Sequence, residues 1–175
     1  MGPALLSPNE VAVLADTSNS VVEKALEQKV LRAQGGRAPG RRLLPLHAIA
    51  LAATVKSLGR RLTVNDKKLV ARKLATLSPA ALKTAEIEVA PAVVLHVGTL
   101  VREAVERAER YIRYRDDFIE RVEGLMGGRP VIKGTRVTVS AIHDRLTGGD
   151  TLACLTEDYP DIPVEAFEAA FVYAK

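Results

Sequence analysis

The chain has no tryptophan, one cysteine, three phenylalanines and four tyrosines among its 175 residues. With so few large rings, its core must be closed mainly by aliphatic side chains. A hydrophobic share of 47% supplies enough of them for one ordinary domain or two small ones, so disorder is not expected. The lone thiol, Cys154, has no partner for an internal disulfide and no CxxC neighbour for zinc, so it is expected to be a small buried apolar residue. No stretch of eighteen apolar residues occurs, which argues against a membrane-spanning helix. The opening MGPALLSPNE also lacks the basic segment and long apolar run of a secretory leader, so a soluble cytoplasmic protein is expected.

Groupings that carry catalysis are missing as well. His47, His96 and His143 are scattered without metal-ligand spacing, and the acid pairs Asp116-Asp117 and Glu157-Asp158 lie on or beside helical patterns without a partner base. No enzymatic activity, metal, cofactor or small-molecule substrate is expected. Acidic residues are also scarce at the front of the chain. Residues 1–75 carry 13 Lys and Arg against 5 Asp and Glu, residues 76–137 carry 10 against 9, and residues 138–175 carry 2 against 7. A polyanion would be drawn to the first segment and repelled by the last.

What is present begins with Ser7-Pro8, a cap followed by a proline suited to the first helical position, and then PNEVAVLA with Val11, Leu14 and Ala15 on one face. The turn DTSNS follows, and Val22, Ala25, Leu26 and Leu31 keep an apolar face through a second helix. Gly35, Gly36, Pro39 and Gly40 then break the helix in a basic loop between Leu31 and Leu43, and a mostly apolar third helix is expected over Leu46 to Leu58. In its order of helix, turn, helix, basic wing and helix, this segment resembles the MerR-type winged helix-turn-helix. That resemblance implies a second helix in the major groove, with Asn19, Ser20, Lys24 and Gln28 as candidate base readers. Lys29, Arg32, Arg37, Arg41 and Arg42, around and in the wing, would neutralise backbone phosphates. Glu23 and Glu27 fit a solvated face. A solvated basic loop and an ordinary helical hairpin remain the alternatives here.

In the middle, a helix starting in LTVNDKKLVARKLATLSP is expected to be capped by Asn65 or Asp66 and to stop near Ser78-Pro79. AEIEVAPAVVLHVG reads as two short strands broken at Pro91. From Gly98 a long amphipathic helix follows, its apolar stripe packing on the N-terminal module or pairing with a second copy. On its polar face Glu103 is placed to pair with Arg107, and Glu106 with Arg110.

GGRPVIKGTRVTV, residues 127–139, is not a phosphate-binding P-loop. Its lysine and glycine are transposed relative to GxxxxGK[ST], Pro130 removes an N–H donor, and no β-branched strand precedes it. It reads instead as a short edge strand or hairpin, with Gly134 at a positive φ. Three helices should follow, roughly Ser140 to Thr147, a second capped by Asp150 and running to Asp158, and a third starting near Pro163. GGRPVIKGTRVTV, then GGD, EDYPDIP and FEAAFVYA, in that order over residues 124–174, resembles the "domain of unknown function 433" module found in VapB-type antitoxins.

The resemblance implies a homodimeric DNA-binding antitoxin that represses its own operon at operator DNA and neutralises a PIN-like ribonuclease toxin. It also implies a homeodomain-like trihelical module, which here is acidic, so DNA is assigned mainly to the front of the chain. Such antitoxins hold the toxin with a C-terminal tail. Here Lys175 follows the last helix directly, so the toxin-binding segment is expected elsewhere or missing. Dimerisation is expected through Pro130, Val131, Ile132, Val137 and Val139, pairing strand to strand across a two-fold axis, with local packing on its own helices as the alternative.

The expected fold is mainly α with short β elements. Residues 1–60 form a winged helix-turn-helix, 61–123 linking helices and a strand pair, and 124–175 a strand plus three helices. A protein-interaction module that binds a basic partner without DNA, through acids such as Asp158, Asp161 and Glu165, is the alternative function.

Overall fold

The computed structural model describes residues 4–35, 42–58 and 61–174. The protein is mainly helical with small antiparallel strand pairs. It divides into two compact units, residues 1–108 and 109–175, and the segment 61–123 expected to link its ends is shared between them.

The first unit opens with β1 (Leu5–Leu6) and α1 (Pro8–Leu14). The Ser7 hydroxyl accepts from the Glu10 N–H at 3.2 Å while the Glu10 carboxylate accepts from the Ser7 N–H at 2.5 Å, so two otherwise orphaned donors are satisfied reciprocally. Asp16, at φ 51°, turns the chain out of α1 and α2 (Asn19–Glu27) follows at once. Strands β2 (Gln34–Gly35) and β3 (Arg42–Pro45) pair antiparallel, and β3 also pairs with β1, giving the order β1-β3-β2.

Helix α3 (His47–Leu58) is buried without a gap from Ala48 to Thr54, as its small and aliphatic side chains allow. Its one polar side chain in that run, Thr54, donates to the Ala50 carbonyl at 2.7 Å and so carries no unmet hydrogen bond into the core. Helix α4 (Val64–Leu74) is capped by Thr63 rather than by Asn65 or Asp66. Thr63 holds the extended backbone that a cap needs, and Asp66 is the acid three residues on that returns to it.

After the short α5 (Pro79–Leu82), strands β4 (Ile87–Ala90) and β5 (Val93–Leu95) form a hairpin turned at Pro91 and Ala92. Helix α6 (Val97–Phe118) starts in this unit with Val97, Val101, Ala104, Val105 and Ala108 all buried within the protomer, so that part of the stripe needs no second copy to cover it. Neither expected ion pair on its polar face forms. Arg107 donates instead to the Leu14 carbonyl at 3.0 and 3.3 Å, satisfying an orphan acceptor at the end of α1. Gly98 donates to the Ala85 carbonyl at 2.8 Å, an approach so close that a Cβ there would lie 2.6 Å from the Thr84 Cα.

In the second unit the end of α6 leads into β6 (Ile119–Glu120), a strand without a readable sequence signal. It pairs antiparallel with β7 (Val131–Ile132). Helices α7 (Val139–Thr147), α8 (Leu152–Asp158) and α9 (Val164–Ala174) complete it. Phe167, Ile142, Leu155, Val139, Ala166 and Ala170, none more than 0% exposed, form the centre of one apolar cluster with Ile132 and Ile162. The α8 cap is Thr151, not Asp150. Asp150 binds Arg145 instead, and Asp158 binds the same guanidinium at 2.6 Å, so the two carboxylates raise the arginine's pKa above its ordinary value.

Cys154 is exposed, contrary to its expected burial, because it lies on the solvent side of the first turn of α8. There the Thr151 hydroxyl, 3.2 Å from the sulfur, holds the thiol below its usual pKa.

Candidate nucleic-acid interface

Helices α1 and α2 are joined by the four residues Ala15 to Ser18, and two ties hold this turn. Lys56 near the end of α3 pairs with Asp16 at 2.5 Å and keeps that carboxyl below the ordinary range, while Arg107 binds the carbonyl just before it. Helix α2 turns Val22 fully into the core and leaves Asn19, Ser20 and Lys24 exposed, with Gln28 half-buried. Three of the four candidate base readers therefore stand on one open polar surface. The Ser20 hydroxyl shares a hydrogen bond of 2.7 Å with Ser18.

Glu23, expected on a solvated face, has a structural partner. Arg42 at the start of β3 grips it with two parallel hydrogen bonds of 2.8 and 2.9 Å, a fork that fixes the base of the hairpin against α2. Arg42 is thus a bracing residue as well as a surface cation, which charge counting along the sequence did not reveal. Arg37 and Arg41 lie outside the described residues. Lys29 and Arg32, in the loop leaving α2, are exposed.

These two cations also border a groove of about 740 Å³, whose other wall is the α4 face carrying Lys68 and Arg72. His47 lies half-buried at its side, where burial pushes the imidazole below its ordinary pKa. No local pattern marks this groove, since the loop and the helix that wall it are more than thirty residues apart.

The residues assigned to dimerisation are used within the protomer. Val131 and Val139 are 0% exposed and Ile132 is 3% exposed, while Val137 packs on the same cluster. The backbone of β7 is paired along both edges, with β6 on one side and with Thr138, in an isolated bridge, on the other. The Ile132 N–H donates to the Val137 carbonyl and the Val139 N–H to the Pro130 carbonyl, at 2.9 and 3.0 Å. The loop closes through Gly134, at φ 76°, whose N–H donates to the Glu120 carboxylate at 3.0 Å. The stretch is therefore a hairpin that packs on its own helices, and both edges of β7 itself are occupied within the chain.

Among the described residues no three histidine, cysteine or acidic side chains gather as a metal site would require, and no helix is long and apolar enough to cross a membrane. Residues 119–174 match the family described as "Protein of unknown function (DUF433)", so a domain of that family occupies most of the second unit. The match begins at β6, five residues before the module's expected start, because β6 is the strand that β7 needs as a partner. No curated protein matches the chain. The X-ray crystal structure of Rv2018 from Mycobacterium tuberculosis is similar over 97% of each chain, at 14% identity and a TM-score of 0.38.

Proposed function

We propose that the protein is a DNA-binding antitoxin of a type II toxin–antitoxin system, repressing its own operon as a homodimer and neutralising a PIN-like ribonuclease toxin. In this view the first unit is a MerR-like winged helix-turn-helix. Helix α2 enters the major groove with Asn19, Ser20, Lys24 and Gln28 toward base edges, and Arg37, Arg41 and Arg42 neutralise backbone phosphates. The observation that carries it is the Glu23–Arg42 fork, which ties the exposed Arg42 at the start of β3 to the helix that exposes Asn19, Ser20 and Lys24. The DUF433 match supports the antitoxin class through the resemblance of that module to VapB-type antitoxins. No reaction of its own is assigned to the chain.

The test is binding of the operon's promoter duplex, followed by fluorescence anisotropy as salt is raised. Retention should weaken steeply with salt. Replacing Arg37 and Arg41 by alanine should lower affinity for all sequences alike and flatten the log–log salt slope by about one unit per lost phosphate contact. Asn19→Ala or Lys24→Ala should instead reduce discrimination between operator and random duplex. Salt-independent binding, or none, removes the DNA assignment. Co-purification with the product of the adjacent reading frame tests neutralisation separately.

The second reading, a module for a basic protein partner, is favoured by the surface of the second unit. There Glu157, Asp161 and Glu168 are exposed, while Asp150 and Asp158 are already engaged by Arg145.

A further inference from the structure

We propose that the groove between the loop leaving α2 and helix α4 binds a small organic polyanion with a flat apolar part, of the nucleoside diphosphate class. Its four cations, Lys29, Arg32, Lys68 and Arg72, are not accompanied by any acidic lining residue. None of the four pairs with a carboxylate among the described residues, although elsewhere in this unit Arg42 and Lys56 each found one. The one acid of α4, Asp66, is bound to Thr63 and is not among the groove's residues.

Lys68 and Arg72 stand four residues apart on one helix face, where like charges repel and cost stability unless an anion lies between them. Lys29, at φ 54°, is the left-handed residue that ends α2: its N–H donates to the Leu26 carbonyl and the Val30 N–H to the Ala25 carbonyl, at 2.9 and 2.8 Å, so the helix end fixes where this cation stands on the rim.

The remaining wall fixes the rest of the ligand. Val30, Leu31 and Ala71 are buried beneath the cations and give an apolar floor. The half-buried His47, held toward its neutral form by burial, adds a ring edge that can donate or accept. A concavity of about 740 Å³ lies within the usual range of sites for small organic ligands. A DNA duplex presents a convex, rigid rod that cannot reach an apolar floor behind a cationic rim. A small molecule with phosphates at one end and a planar ring at the other can satisfy both parts. This site does not depend on the DNA-binding proposal, and it departs from the sequence-based expectation of no small-molecule ligand.

Isothermal titration of the full chain with ADP, inorganic pyrophosphate and adenosine tests it. ADP should bind saturably at one site per chain, more tightly than either fragment, and more weakly as salt is raised. Lys68→Glu and Arg72→Glu should each weaken ADP by about tenfold or more, the loss expected for a charge-assisted hydrogen bond reversed in sign. Lys68→Gln and Arg72→Gln should give smaller losses. Circular dichroism would show that each variant remains folded. Lys73→Glu, on the same helix but outside the groove, should leave ADP binding unchanged. The site is refuted if neither ADP nor pyrophosphate binds saturably, or if Lys73→Glu weakens ADP as much as Lys68→Glu does. Tight binding of a polyglutamate peptide with no response to ADP would likewise overturn it, in favour of an acidic protein partner.

Discussion

Both units of this protein bury an apolar core, but they tie their surfaces in different ways. The first, with 16 Lys and Arg against 9 Asp and Glu in residues 1–108, holds its turn and hairpin by polar ties between elements far apart in sequence: Glu23 with Arg42, Asp16 with Lys56, and Arg107 with the Leu14 carbonyl. The second, with 9 against 12 in residues 109–175, closes one apolar cluster around Phe167 and keeps its ion pairs between near neighbours in sequence, Arg145 with Asp150 and Asp158 and Arg115 with Asp116. Surface charge is therefore put to structural use where it also points outward, and the most motif-like part of the chain is architectural. The glycine-rich stretch that first attracts the eye builds a core, whereas the plainer helix before it bears the open polar face.

The largest test of that contrast is Phe167→Ala. Emptying the centre of the cluster should cost about 3–5 kcal/mol, enough to unfold most of a small unit. Amide exchange by mass spectrometry should show protection lost across residues 131–171 and kept in α3 and α4. Equal loss in both units would mean that they unfold together.

The converse variant is Gly98→Ala. Its Cβ would meet backbone atoms at 2.6–2.7 Å that cannot swing aside as a side-chain end could. A loss of about 1–3 kcal/mol, the usual cost of overpacking, is expected, confined to the first unit in the same exchange experiment.

A smaller effect is expected from the fork. Glu23 and Arg42 are 29% and 52% exposed, so a double-mutant cycle with alanine should give a coupling of about 0.2–1 kcal/mol in urea unfolding. DNA affinity in Glu23→Ala should fall by more than that stability change predicts if the fork orients the hairpin.

The last effect is a matter of pH. Burial depresses the His47 pKa below its unfolded value of 6.5, so the unfolded chain binds the extra proton first. The stabilisation is complete above about pH 6.5, the unfolded-state value, and is lost as pH falls toward the folded pKa. His47→Gln should flatten the dependence of the thermal midpoint on pH between about 5 and 7. An unchanged slope would place that proton elsewhere.

Much of the framework was legible because its signals are local. Ser7-Pro8, the apolar spacing of Val11 and Leu14, the break at Pro91 and the apolar list from Ile142 to Ala170 each depend on residues a few positions apart, and the observed helices and hairpin follow them closely. Caps slipped to Thr63 and Thr151 because neighbouring Asn65, Asp66 and Asp150 are equally good cap formers, and only the backbone decides between them. Strand β6 was hidden because two residues at the end of a helix carry no alternation.

The site was legible in part. Asn19, Ser20 and Lys24 followed from helical phase, but the Glu23–Arg42 fork, the tie of Arg107 and the groove under Lys29 join residues 19 to 93 positions apart, beyond the reach of any periodicity. The same limit explains the strand assigned to dimerisation. Alternation marks Val131, Val137 and Val139 as apolar but does not say whose core they enter.

Because β7 is flanked along its whole length, the folded unit offers its neighbours no ribbon to graft onto at that strand, even at high concentration. A strand enclosed in that way can be carried beside an unrelated head, here a basic one, without itself becoming an adhesive seam.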